Sequence, residues 1–131
     1  MDDSEMAVRA LEYALEAHPD ADIMVLHIVG EPSAMMGKAV GLALEDDITE
    51  AAEEHAAAIF ERAREIAQSH GVDISTEVAW GNPGKVIVKR SDSFDAVVIG
   101  SHGGSLVDRL FVGNVAQTVF RRAAVPVTVV R

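Results

Sequence analysis

The chain has no cysteine, which excludes disulfides and thiolate metal sites. It has no apolar run approaching the roughly 20 residues that a membrane-spanning helix needs. No basic region precedes an apolar stretch near Met1, so a secretory signal is not expected. Lysine is scarce: Lys38, Lys85 and Lys89 are outnumbered by arginine, and 11 basic residues face 21 acidic ones for a formal charge of −10. That balance argues against a general nucleic-acid binder, because a phosphate backbone needs a basic footprint. These absences favour a cytoplasmic domain with no membrane or nucleic-acid partner. Many acids and few lysines also suit concentrated salt, where at ~1 M the Debye length is about 3 Å and self-repulsion is screened; an ordinary acidic bacterial protein is the other reading.

What is present is an alternation of two periodicities. The length of 131 residues fits one domain, 1–131, able to bury a core without staples. Residues 4–18 predict a helix, with Ala7, Val8, Leu11, Ala14 and Leu15 at helical spacing and Asp3 or Ser4 as cap. Residues 22–29 are an almost unbroken apolar run, the pattern of a strand covered on both faces. Glycine and proline then punctuate residues 30–46, which predicts a long loop, with Met35 and Met36 loosely packed in it. Residues 47–70 predict a helix with Ile48, Ala52, His55, Ile59, Ala63, Ile66 and His70 on one stripe and Gly71 as its C′ residue. Strand 73–80 follows.

Asn82 and Pro83 mark the start of a short helix to about Asp92, with Val86 and Ile87 inward. Residues 95–100 predict a buried strand. Residues 114–123 predict a helix with Val115, Ala116, Val119 and Phe120 on its face. Residues 125–130 predict a last strand in which Pro126 favours an edge or the strand's start. Such alternation gives a mostly parallel sheet with helices on both faces. The chain opens on a helix, however, whereas a doubly wound sheet normally begins with a strand. The expectation is therefore a missing or truncated first strand, with 22–29 and 95–100 flanking a gap and Asp2 poorly held.

The chemistry concentrates at GSHGGSLVDRLFVGNVAQTVF, residues 100–120. A parallel strand ends there, a glycine-rich loop follows, and a helix begins at Gly113. Free amides at a strand end and at a helix N-terminus make an anion site, and glycine admits an anion close to the backbone. Gly100 and Gly103 can shape the turn, and Asn114, Val115 and Ala116 can aim amides at it. Ser105 to Asp108 has the spacing of a capping box. A glycine-rich turn that binds nothing is the plain alternative. Other motifs fail. GNPGK at 81–85 lacks the P-loop spacing and has Val86 where Ser or Thr is required. No G-x-G-x-x-G occurs. Neither Ser101 nor Ser105 has the glycines of a nucleophile elbow, and adjacency alone does not make Ser101 and His102 a dyad. His55 and His70 fall on an apolar stripe, where core or boundary positions are expected.

Gly100-x-x-Gly103, nine residues, then Gly113 resembles the nucleotide signature of the universal stress protein family, in which Ser or Thr follows the last glycine. DAVVIGSHG at 95–103, VLHIV at 25–29, VPVTVV at 125–130 and Asp2-Asp3-Ser4-Glu5 resemble further parts of that family. The resemblance implies a Rossmann-like α/β fold of the adenine nucleotide alpha hydrolase type, in three α/β/α layers, with family strand order 3-2-1-4-5. It implies ATP, with or without Mg²⁺, across the strands' carboxyl ends. Ile28 would meet the adenine with its backbone, and Asp2 would reach toward the adenosine. Gly100, Ser101, His102, Gly103 and Gly104 would wrap ribose and phosphates, and Gly113, Asn114, Val115 and Ala116 would hold the phosphates. It implies a homodimer through 125–130, an edge that invites pairing. No residue constellation supports fast hydrolysis, so an enzyme is not expected, with slow ATP hydrolysis or autophosphorylation left open. Asn114 departs from the family's Ser or Thr, although its amide can still donate. Two alternatives stand beside this: a non-nucleotide-binding stress protein acting through dimerisation or partners, and a phosphoryl- or nucleotidyl-transfer enzyme on a similar fold.

Overall fold

A computed structural model describes residues 1–30, 38–102 and 112–131, with backbone alone for 38–46. The elements are α1 (Glu5–Ala17), β1 (Ile23–Val29), α2 (Lys38–Ser69), β2 (Ile74–Trp80), α3 (Pro83–Arg90), a 3-10 turn at Ser91–Ser93, β3 (Val97–Gly100), α4 (Asn114–Arg122) and β4 (Val127–Val130). The alternation read from the sequence is therefore present. One boundary is corrected: residues 38–46 are helical rather than loop, so α2 runs for 32 residues. Gly37 and Gly41 suggested a break, but a single interior glycine costs only about 1 kcal/mol, and Ala39, Leu42, Ala43 and Leu44 around it are helix-compatible. The other end of α2 is as expected. Gly71 has φ of +71°; its N–H donates to the Gln68 carbonyl and that of Val72 to the Ala67 carbonyl, closing a Schellman turn.

Strands β1 and β2 pair in parallel from Ile23 opposite Ile74 to Val29 opposite Trp80. Strands β3 and β4 pair in parallel from Val97 opposite Val127 to Gly100 opposite Val130. Among the described residues the two pairs are not hydrogen-bonded to each other. Met1 lies along β1 instead: its amino group donates to the Leu26 carbonyl, and its carbonyl accepts from His27 Nδ1 at 2.7 Å. Burial holds that amino group below its ordinary pKa, outweighing the opposite pull of Asp2. Helices α1 and α2 cover one face of the strands and touch each other, while α3 and α4 cover the other. The result is a Rossmann-like, three-layer α/β arrangement.

The main core joins Leu11 and Leu15 of α1, Val25 of β1, and Ala56, Ile59, Phe60, Ala63 and Ala67 of α2. The buried stripe of α2 is thus rotated from the expected one. His55 and His70 are exposed, and Ala56, Phe60 and Ala67 take the interior. Small alanines let α2 approach the strands, and the His55 ring only edges against the buried His27 at 5.9 Å. On α1 the buried positions are Met6, Ala10, Leu11, Ala14 and Leu15, with Ala7 and Val8 only half-buried. On α4, Ala116 and Val119 are buried while Val115 and Phe120 are exposed, because a nine-residue helix against one strand presents only a narrow stripe. On α3 only Gly84 is buried. A β-carbon there would stand 3.1 Å from Thr118 Cγ2, so its absence sets the close approach of α3 and α4.

Leu15 is 2 % exposed at the centre of the core. Leu15→Ala is expected to cost about 2–5 kcal/mol by lost transfer energy plus a residual cavity, read as a lower urea midpoint at an unchanged slope.

Candidate functional site

Three elements converge at the carboxyl end of β3. Gly100 is its last residue. The start of α1 packs directly on it: a β-carbon at Gly100 would fall 2.9 Å from both the Cβ and the carbonyl oxygen of Met6. Glycine here serves helix–strand contact first. Ser101 then ties three segments together. Its N–H donates to the Val130 carbonyl at 2.7 Å, and its own carbonyl accepts from Gly113 N–H at 2.6 Å. Its hydroxyl, in a residue 3 % exposed, points to Met6 Sδ at 3.8 Å and lies 2.9 Å from His102 Nδ1. A nucleophilic reading gains little from that contact, because the hydroxyl is enclosed.

Gly113 is the N-cap of α4, with φ −62° and ψ 157°. A β-carbon on it would stand 3.3 Å from the Ser101 carbonyl oxygen and 3.4 Å from His102 Cα, so backbone meets backbone without a side chain between. The helix starts differ in their caps. Ser4 Oγ accepts from Ala7 N–H and caps α1, and Asn82 caps α3 through Lys85 N–H. Among the described residues no side chain caps α4, and its first turn holds no acidic residue. Among the described residues no carbonyl accepts from the N–H groups of Asn114, Val115 or Ala116. The last turn carries Arg121 and Arg122, which complement the opposite pole of the helix dipole. Among the described residues the start of α4 therefore presents donors with no partner and a partial positive charge.

Two further candidates lie toward β1. The Val29 carbonyl accepts from Gly81 on the β2 side, and the Leu26 carbonyl faces Met1 on the other. Alternation along the strand then turns the N–H and C=O of Ile28 to the Met1 side, away from β2. Asp2 is held rather than loose: its Oδ1 accepts from Ser4 N–H at 3.0 Å and from Ser4 Oγ. The expectation of a poorly held Asp2 is corrected by this turn. Gly103 and Gly104 lie outside the described residues, as do the segment Ser105–Asp108 and Met35 and Met36. The structure thus brings Gly100, Ser101, His102 and Gly113 together through direct contacts, with Asn114, Val115 and Ala116 opening the adjoining helix. Sequence reasoning missed Met6, which sets both Gly100 and the Ser101 hydroxyl. Its signal was an apolar side chain one turn before Ala10 on the buried face of α1.

Among the described residues no group of three or more His, Asp or Glu could hold a metal ion, and no helix is long and apolar enough to cross a membrane.

A family model described as the universal stress protein family matches residues 1–131. The chain belongs to the universal stress protein family. Universal stress protein MJ0531 of Methanocaldococcus jannaschii is 28% identical over 137 residues, covering 99% of this chain and 78% of that protein. Universal stress protein UspA from Lactobacillus plantarum superposes with a TM-score of 0.81 at 25% identity, covering 100% of this chain and 93% of the other. A universal stress protein crystallised in complex with cAMP gives a TM-score of 0.70 at 26% identity, covering 100% and 92%.

Gly100→Ala tests the packing role of that glycine in this universal stress protein. It is expected to cost about 1–3 kcal/mol, because its methyl group meets backbone that cannot yield cheaply. Gly30→Ala, with nothing within 4 Å of its β-carbon, is expected to change stability by no more than about 0.5 kcal/mol. Thermal unfolding of the two variants side by side checks both.

Proposed function

We propose that the chain, as one domain over 1–131, is a regulatory protein of the stress response that binds ATP, with or without Mg²⁺, at the carboxyl end of β3. The observation that carries this reading is the uncapped start of α4, fixed against Ser101 by the Gly113 N–H. Phosphate oxygens accept from the amides of Asn114, Val115 and Ala116, while Gly100 to Gly104 and His102 enclose ribose and phosphates. Ile28 offers its backbone to the adenine edge and Asp2 lies toward the adenosine. The related universal stress protein in complex with cAMP supports an adenine nucleotide as the ligand class. Binding rather than turnover is the role: Ser101 Oγ is enclosed and no other acid–base pair adjoins the α4 start among the described residues. A cytoplasmic location agrees with this role.

The second reading, a stress protein that binds no nucleotide and acts through partners, draws on Asn114 in the place of Ser or Thr and on the inward Ser101 hydroxyl. A thermal-shift series with ATP, ADP and AMP decides between them. Ligand at ~100 times Kd stabilises by about 2.7 kcal/mol, and no shift at millimolar nucleotide overturns the first reading. Asn114→Asp sharpens the test, because its two effects have opposite signs. A carboxylate in the first turn of α4 stabilises the free protein by about 0.3–1 kcal/mol, while repulsion weakens ATP binding by about tenfold or more.

The proposed homodimer uses strand β4. The carbonyls of Pro126 and Val130 pair with β3 through Val97 and Ser101, so alternation turns the backbone groups of Val127 and Val129 to the free edge. Val129→Pro removes one outward donor while sparing the β3 ladder. Sedimentation is expected to fall from twice the 14.0 kDa chain mass toward that of one chain.

A further inference from the structure

A concavity lies where α3 packs beside the end of β2. It is an open cleft of about 460 Å³ lined by Ala79 and Trp80 of β2, by Val86, Lys89 and Arg90 of α3, and by Ser93. That volume falls within the range of small-molecule sites, roughly 300–1,000 Å³. Val86, Lys89 and Arg90 are spaced i, i+3 and i+4 on one face of α3, and Ser93 joins them from the 3-10 turn that follows. Strand β2 pairs only with β1 among the described residues, so nothing described covers this flank. Trp80 is 42 % exposed at the strand's end, a large aromatic surface left beside two cations in a chain of net charge −10.

The two cations are not equivalent. Arg90 grips Glu77 with both nitrogens, NH1 to Oε2 at 2.7 Å and NH2 to Oε1. Its charge is matched and its plane is fixed. Lys89 forms no ion pair among the described residues. The cleft therefore holds one unmatched positive charge, one indole, two small aliphatic walls and the Ser93 hydroxyl, which donates to Asp92 at 3.3 Å.

From this set we propose that the cleft is a second ligand site, for a small aromatic monocarboxylate. The ring lies against the Trp80 indole and Val86, as aromatic pairs favour offset or edge contact. The carboxylate meets the Lys89 ammonium, with Arg90 held alongside by Glu77. One free charge selects a monoanion over a polyphosphate. The site is separate from the start of α4 and stands whether or not a nucleotide binds there.

Trp80 is the sole tryptophan of the chain, so its indole N–H resonance reports this cleft and no other place. The test titrates ¹⁵N-labelled protein with benzoate, with benzyl alcohol (ring without charge) and with acetate (charge without ring). Benzoate is expected to shift the indole resonance saturably with a dissociation constant in the millimolar range, and the other two at least tenfold more weakly. Lys89→Gln is expected to weaken benzoate about tenfold and leave benzyl alcohol unchanged. An indole resonance that does not move, equal responses to benzoate and acetate, or undiminished benzoate binding by Lys89→Gln would each overturn the proposal.

Discussion

The hydrogen bond from Gly113 N–H to the Ser101 carbonyl, 2.6 Å long, is the contact on which the site depends. It joins the residue after β3 to the residue before α4. It sets the first amides of α4 beside the end of β3. Ser101 can make it because its N–H is already bonded to Val130, which fixes the direction of its carbonyl. Gly113 can donate it at this distance because it has no side chain to press on the Ser101 carbonyl and on His102. Close backbone approach thus comes first, and the open amides of α4 follow from it. Preorganisation of this kind lowers the ordering cost that a ligand would otherwise meet.

A net charge of −10 works against any anion, so the local field must exceed the global one. Screening helps: beyond roughly 8 Å at physiological salt, exposed carboxylates act weakly, whereas amides in contact act at full strength. The first turn of α4 holds no acidic residue, and the first turn of α1 carries Glu5, where a negative charge favours that helix. Ser4 closes α1 with its hydroxyl and Asp2 closes Ser4. Among the described residues the start of α1 is capped by a side chain and the start of α4 is not.

Much of this was readable from residue order. Alternating helices and strands, the Gly71 cap, the Asn82 and Pro83 helix start and the glycine spacing at 100, 103 and 113 are local signals, each with a local cause. Residues 38–46 misled because glycine was weighed as a breaker while the helix formers around it were not summed. The helix faces misled for a different reason. Periodicity finds a stripe but not its azimuth, and the azimuth of α2 is decided by where Ala56, Ala63 and Ala67 allow close approach. Phe120, 66 % exposed, shows the same limit, since hydrophobicity alone cannot place a side chain on a short helix. The site was legible as a spacing and not as a geometry. No sequence rule brings Met6 against Gly100, because that contact joins residues 94 positions apart through the packing of a helix on a strand.

The two strand pairs raise a structural question that the helices answer. β1–β2 and β3–β4 share no hydrogen bond among the described residues, yet α1 lies on β3 and β4 while touching α2, which lies on β1 and β2. On the opposite face α3 and α4 make the same link through Gly84 and Thr118. Cohesion between the halves is therefore side-chain packing, broad and weakly directional, rather than a backbone ladder. Such contacts hold two bodies together while leaving their relative position softer than a ladder would. The proposed nucleotide site spans that junction, with Ile28 on one half and Gly100, Gly113 and α4 on the other. In that proposal a ligand touching both halves adds directional bonds between two strand pairs that share none among the described residues.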